Sequence, residues 1–124
     1  MFKPGTIFSN FTPLVKSPVI GYRISGDDVL EILKKLTKKN FSKDHSRVKL
    51  VKLYKKDGTL LDECSVVYFK SPKSFTGEDV CEVFLHGSPL IASQFEQTLK
   101  DFKIPGLRLA KNGEFSYRSV LNSK

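Results

Sequence analysis

The sequence predicts a single α+β domain in which a mixed β-sheet carries two or three helices. Three observations lead there. The chain has 124 residues, enough for one real core and not for two. Runs of strand and helix character follow in the order β-β-α-β-β-β-α-β-α, mixed but not strictly alternating. No internal repeat or low-complexity tract interrupts them, and no apolar run approaches the length of a membrane span.

The elements can be justified in order. Thr6 to Phe11 alternates well enough for a short strand, which Thr12-Pro13 closes, and Lys16-Ser17-Pro18 is loop. Val19 to Ile24 is a second strand with Ser25-Gly26 as its exit. Asp27-Asp28 place negative charge where a helix macrodipole favours it. Val29, Ile32, Leu33 and Leu36 then recur at helical spacing, with Lys34, Lys35, Lys38 and Lys39 on the other face and at the C-terminal end. After a polar connection, Arg47–Tyr54 and Leu60–Phe69 read as strands joined at Asp57-Gly58, a strong hairpin signal. Val66 to Phe69 is apolar on both faces, so that strand belongs inside the sheet.

The remainder is organised around Ser74 to Pro89. A polar loop, Ser74 to Asp79, leads into the apolar strand Val80 to Leu85, broken only by Glu82. Gly87-Ser88-Pro89 opens a helix, with Ser88 as N-cap and Pro89 at the first helical position. Ile91, Phe95, Leu99 and Phe102 are its buried line, and Pro105-Gly106 ends it. Leu107 to Ala110 is one more short strand. Asn112 is the candidate cap of a last helix through Leu121. That helix stops abruptly at Asn122-Ser123-Lys124, so a longer parent chain or a trimmed sequence is expected.

The formal charge of +8 and pI near 9.5 fit contact with a polyanion such as RNA. Seventeen of the twenty-one basic residues are Lys, scattered along the chain, which fits a solvated surface equally well. Cys64 and Cys81 belong to no metal-ligand spacing and read as buried free thiols. The N-terminus lacks a signal-peptide hydrophobic region, so a cytoplasmic protein is expected.

No phosphate-binding loop, dinucleotide fingerprint, nucleophile elbow or zinc-protease motif is present. His45 and His86 are the only histidines, which makes a triad or zinc site improbable. The residues alone indicate a binding module. The strand–turn–helix unit is expected to gather Glu82, His86 and helix N–H groups into a polar pocket. Glu82 has two readings. In apolar surroundings its carboxylate needs N–H donors, which an amino group beside a ring N–H on a planar heterocycle would supply. Alternatively it points to water or pairs with Arg23 or Arg108. Arg23 is either a cation for an anionic ligand tail or a strand-end surface charge. His86 reads as a turn residue bonded to backbone, and Arg118, Asn122 and Lys124 can share one side of the last helix.

Arg23-Ile24-Ser25-Gly26, Ser74-Phe75-Thr76-Gly77-Glu78-Asp79-Val80-x-Glu82, His86-Gly87, Gly106-Leu107-Arg108-Leu109-Ala110, Gly113-Glu114-Phe115 and Leu121-Asn122-x-Lys124 occur in that order. Together they resemble the N-terminal domain of the MnmE (TrmE) family of tRNA modification GTPases, over essentially the whole chain, 1–124. Thr12 to Pro18 stands where that family has a glycine-rich segment, and Asn112 where proline is usual. The resemblance implies a fold related to the tetrahydrofolate-binding domain of the glycine-cleavage T-protein group. It implies binding of 5-formyltetrahydrofolate or a related one-carbon folate, with Arg23, Glu82 and Lys124 as the contacts. It also implies homodimerisation, to which Ile7, Phe8 and Phe11 of the first strand fit, since so small a domain has little left to cover both sides of that strand.

In the parent protein the resemblance implies GTP, Mg2+ and K+, bound by a GTPase domain absent here along with the helical domain. It further implies an FAD-dependent MnmG partner, and tRNA whose wobble uridine is modified. The competing expectations are a basic RNA-docking module and a purely structural dimerisation module, neither binding folate.

Overall fold

A computed structural model of the chain describes residues 5–12 and 18–123. Its elements follow in the expected order: β1 (Ile7–Asn10), β2 (Val19–Ser25), α1 (Val29–Thr37), β3 (Val48–Tyr54), β4 (Leu60–Phe69), β5 (Val80–His86), α2 (Pro89–Asp101), β6 (Arg108–Leu109) and α3 (Glu114–Leu121). The strands form one sheet in the order β3-β4-β5-β2-β1-β6. Every neighbouring pair is antiparallel except β1 with β6, so the sheet is mixed and the α+β class holds.

The core lies where α1 and α2 cover one face of the sheet. Val29, Ile32, Leu33 and Leu36 of α1 and Phe95 and Leu99 of α2 are buried against Tyr22, Ile24, Val66, Val83 and Leu85. Each such side chain contributes about 1.5–3 kcal/mol on full burial, and these contacts, more than propensity, hold the helices down. As expected, β4 is internal and buried on both faces at Val66 and Val67. Strand β3 is an edge. Its Val51 and Leu53 face the core, while Val48 and Leu50 on the opposite face are each 70% exposed.

Local signals set the boundaries. Ser88 Oγ accepts from the Ile91 N–H at 3.3 Å, with Pro89 at the start of α2. The hairpin turn closes with Lys55 N–H to Thr59 O at 2.9 Å, and Gly58 takes φ 89°. At the N-terminus of α1, Thr6 and Asp28 bond reciprocally: the Thr6 hydroxyl donates to Asp28 Oδ2, and the Asp28 N–H donates back to Thr6 Oγ1. A Cβ on Gly26 would lie 2.5–2.8 Å from atoms of Thr6, so only glycine admits this crossing.

Three expectations need correction or placing. The first strand needs no second copy to cover Ile7 and Phe8, because β1 lies between β2 and β6 and both are buried within the single chain, while Phe11 beyond its end stays 37% exposed. Asn112 does not cap α3. Gly113 occupies that position with φ 76°, and no side chain caps the helix from there. Instead, the Glu114 carboxylate turns back to take the Lys111 N–H at 3.0 Å. The loop residues 13–17 and Lys124 lie outside the described residues.

Candidate functional site

Period-two alternation sends Ile24 of β2 and Cys81, Val83 and Leu85 of β5 into the helix-covered core. The same alternation puts Gly21, Arg23 and Ser25, with Val80, Glu82 and Phe84, on the face opposite. The β2–β5 register sets Arg23 directly across from Glu82. Arg23 Nε and Nη2 donate to Glu82 Oε2 at 3.0 and 2.9 Å. Both side chains are largely buried, 20% and 18% exposed. Oε1 of Glu82 takes no hydrogen bond from any described residue.

Three aromatic rings surround the guanidinium. The Arg23 carbon lies 4.7 Å from the Phe11 ring centre, 4.8 Å from Phe75 and 5.7 Å from Phe115. Such cation–π contacts hold the guanidinium in place and keep water from its faces. The Phe11 ring fits because Gly21 beneath it has no side chain: a Cβ there would come within 2.8 Å of the ring. Phe84, the cross-strand neighbour of Gly21, meets Phe11 edge-on at 6.0 Å.

The Ser74–Asp79 loop presents Phe75 to this cluster, and its polar residues build the loop itself. Gly77, at φ 84°, donates its N–H to Ser74 Oγ at 3.0 Å, and the Ser74 hydroxyl donates to Glu78 O. Thr76 Oγ1 accepts the Glu78 N–H at 3.2 Å, and because the Ser25 proton goes to Glu78, the Thr76 hydroxyl is the donor to Ser25 Oγ at 2.7 Å. Ser25 passes the chain on to Glu78 Oε1 at 2.7 Å. Asp79 Oδ1 accepts from the Ser71 N–H at 2.9 Å and the Tyr68 hydroxyl at 3.2 Å. Burial and the Asp79 charge together push that phenol up to about 12.

Helix α3 is fastened to the loop by ions. Glu114 has 0% exposure and takes Arg108 Nη1 and Nη2 at 2.8 and 2.7 Å and Arg118 Nη2 at 3.0 Å. The Arg108 hydrogen bonds are the main reason its carboxyl is held down to about 2. Arg118 Nη1 reaches on to Glu78 at 3.1 Å, and Asn122 Nδ2 donates to Thr76 O at 2.9 Å. Arg118 and Asn122 therefore do share one side of the helix, the side facing the loop.

Of the sequence-predicted site residues, Arg23 and Glu82 are brought together, and Lys124 follows the end of α3 outside the described residues. His86 is not gathered with them. It pairs through Nδ1 with Asp62 Oδ1 at 2.8 Å, a side-chain partner rather than the backbone expected. It stands four positions along β5 from Glu82, roughly 13 Å of extended chain. The expected pocket of Glu82, His86 and helix N–H groups is therefore not formed. Cys64 and Cys81 are free and buried, as expected, and burial drives the Cys64 thiol up to about 12. Among the described residues no cluster of three His, Cys, Asp or Glu could hold a metal ion. Sequence reasoning missed the ring clasp and the Arg108–Glu114–Arg118 cluster. The Glu114–Arg118 spacing of four, within a helix pattern, was the available signal.

A family model described as "GTP-binding protein TrmE N-terminus" matches residues 6–124. Among curated proteins, the chain is 47% identical over 120 residues to the tRNA modification GTPase MnmE of Helicobacter pylori (strain HPAG1), covering 96% of this chain and 25% of that protein. It is 42% identical over 119 residues to the MnmE of Rickettsia canadensis (strain McKiel), covering 96% of this chain and 26% of the relative. The chain thus spans about a quarter of the length of the curated relatives it matches.

Proposed function

The chain belongs to the TrmE N-terminal family, and from that membership we propose that it is a tetrahydrofolate-binding and dimerisation domain serving tRNA modification. In this reading it holds 5-formyltetrahydrofolate or a related one-carbon folate for modification of the tRNA wobble uridine. The kinship with the folate-binding domain of the T-protein group belongs to the same proposal. So do the GTPase with its GTP, Mg2+ and K+ elsewhere in the parent protein, the MnmG partner and a cytoplasmic location. No helix among the described residues is long and apolar enough to cross a membrane, which is compatible with that location.

The observation that carries the reading is the half-used carboxylate of Glu82. Arg23 occupies one oxygen, and the other is open on a face lined by Phe75 and Phe115. A pterin offers an amino group and a ring N–H as parallel donors, and a carboxylate has lone pairs enough to accept them while keeping Arg23. Aromatic side chains suit the flat faces of such a ring. The partly exposed guanidinium, with Lys124 beyond α3, would supply cationic charge to the anionic glutamate tail. Exposed Val48 and Leu50 at one sheet edge and Leu109 at the other offer apolar surface for a second copy.

Calorimetric titration with 5-formyltetrahydrofolate tests the proposal. Saturable binding at one site per chain is expected. Absence of heat and of any thermal stabilisation at millimolar ligand would contradict it.

A further inference from the structure

The lysines left over from the ion pairs are not evenly spread. The Arg23, Arg108 and Arg118 guanidinia are all engaged by carboxylates, and Lys49 is paired with Asp44 at 3.0 Å. Lys38 and Lys56 have no carboxylate partner among the described residues, Lys55 acts on the neighbouring Asp57 without closing an ion pair, and Lys35 has only a long 3.9 Å contact with Glu31. These four converge. A cavity of about 190 Å3 is lined by Lys35, Lys38, Lys55, Lys56 and Phe102. A second, of about 580 Å3, adjoins it at Lys55 and Lys56 and runs along α2 past Gln94 and Gln97. Asp57 and Asp101 line this larger cavity and keep their charge, so the cationic excess lies at the Lys35–Lys38 end, in the smaller one. Lys35 Nζ sits 6.0 Å from the Phe102 ring centre and Lys38 Nζ 5.9 Å from Tyr54, so aromatic rings steady the cations without neutralising them.

We infer that this cleft, on the helix-covered side and away from Glu82, docks the phosphate backbone of a structured RNA. Lysine presents a point charge that suits phosphate oxygens and reads no base, so the cleft would position an RNA without selecting its sequence. Four lysines contributed by α1 and by the β3–β4 hairpin, with no carboxylate in the smaller cavity's lining, match several phosphates of a backbone better than one small anion. An anionic membrane fits less well, because no large exposed apolar side chain lines the cleft to anchor in it. The choice of tRNA as the probe rests on the reading of the chain as part of a tRNA-modifying protein; the charge argument does not.

The experiment is fluorescence anisotropy of a labelled tRNA transcript with the wild-type chain and with K35Q/K38Q/K55Q/K56Q, across a salt series. All four side chains are at or near the surface, and circular dichroism checks that the variant is folded. The inference predicts at least about tenfold weaker binding and a logarithmic salt slope shallower by roughly three, near one for each phosphate that is no longer neutralised. A control set elsewhere, K43Q/K70Q/K73Q, is expected to change affinity less than about twofold. Equal losses in the two variants, or wild-type affinity flat in salt, would overturn it. So would binding to phosphatidylserine vesicles without binding to tRNA. Folate titrations of the same variant keep the two readings apart, since the cleft variant is expected to bind folate as the wild type does.

Discussion

Arg23 and Glu82 face each other across the β2–β5 register, and the guanidinium commits two donors to a single carboxylate oxygen. That arrangement leaves Oε1 open and anchors the carboxylate through Oε2. Arg23 therefore does more than offer charge to an anionic tail; it orients the group proposed to read the ligand. Lysine would keep the charge and lose the fork. Arg23→Lys should weaken folate binding about tenfold or more while the fold survives, as titration and circular dichroism can show. Unchanged affinity would mean that the fork plays no part.

Phe75 isolates the contribution of the loop. It is 49% exposed and stacks on Arg23, while its polar neighbours bond within the loop and to β2 and α3. Phe75→Ala should cost less than about 1 kcal/mol in stability, the scale of an exposed cation–π contact. It should still reduce folate affinity several-fold. A stability loss of several kcal/mol in urea unfolding would make Phe75 a packing residue instead.

Glu114 ties α3 to the rest of the domain. With its folded carboxyl held at about 2, below the ordinary 4.5, its stabilising contribution is fully present above roughly pH 4.5. It is lost as pH falls from there toward about 2, because the unfolded chain takes up the proton first. Glu114→Gln should destabilise by about 3 kcal/mol at neutral pH, leaving two guanidinia without their shared anion. It should also flatten the acid limb of the stability curve. Urea midpoints measured from neutral to acid pH would check both; an acid limb as steep as that of the wild type would place the sensitivity elsewhere.

Much of this architecture is legible in the residues, and the failures have physical causes. Asp57-Gly58 and Ser88-Pro89 are local signals, and both act where they stand because a turn and a cap involve only neighbours. Asn112 misled because the helix starts one residue later, with Gly113 taking the cap position at φ 76°, a conformation open to glycine. Which face of β3 is covered was open, since Val48 and Leu50 are as apolar as Val51 and Leu53; only the placement of α1 decides it. A pair with Arg23 was one of the open alternatives for Glu82. Their pairing follows from a strand register linking residues 59 apart in sequence, which no local pattern encodes.

Assembly has its own test. If the exposed apolar edge residues support a two-fold interface, sedimentation equilibrium should show a dimer at micromolar concentration, strengthened by folate. A chain that is monomeric up to high concentration, with and without folate, would remove dimerisation from the proposed role.

The central claim is that the open oxygen of Glu82 reads the edge of a folate ring, and side-by-side calorimetry of wild type and Glu82→Gln with 5-formyltetrahydrofolate addresses it most directly. The account predicts a loss of roughly 1.5–3 kcal/mol in binding free energy, the scale of a charge-assisted hydrogen bond, alongside a lower melting temperature, because the largely buried Arg23 guanidinium loses its anion. A dissociation constant identical in the two proteins would contradict it.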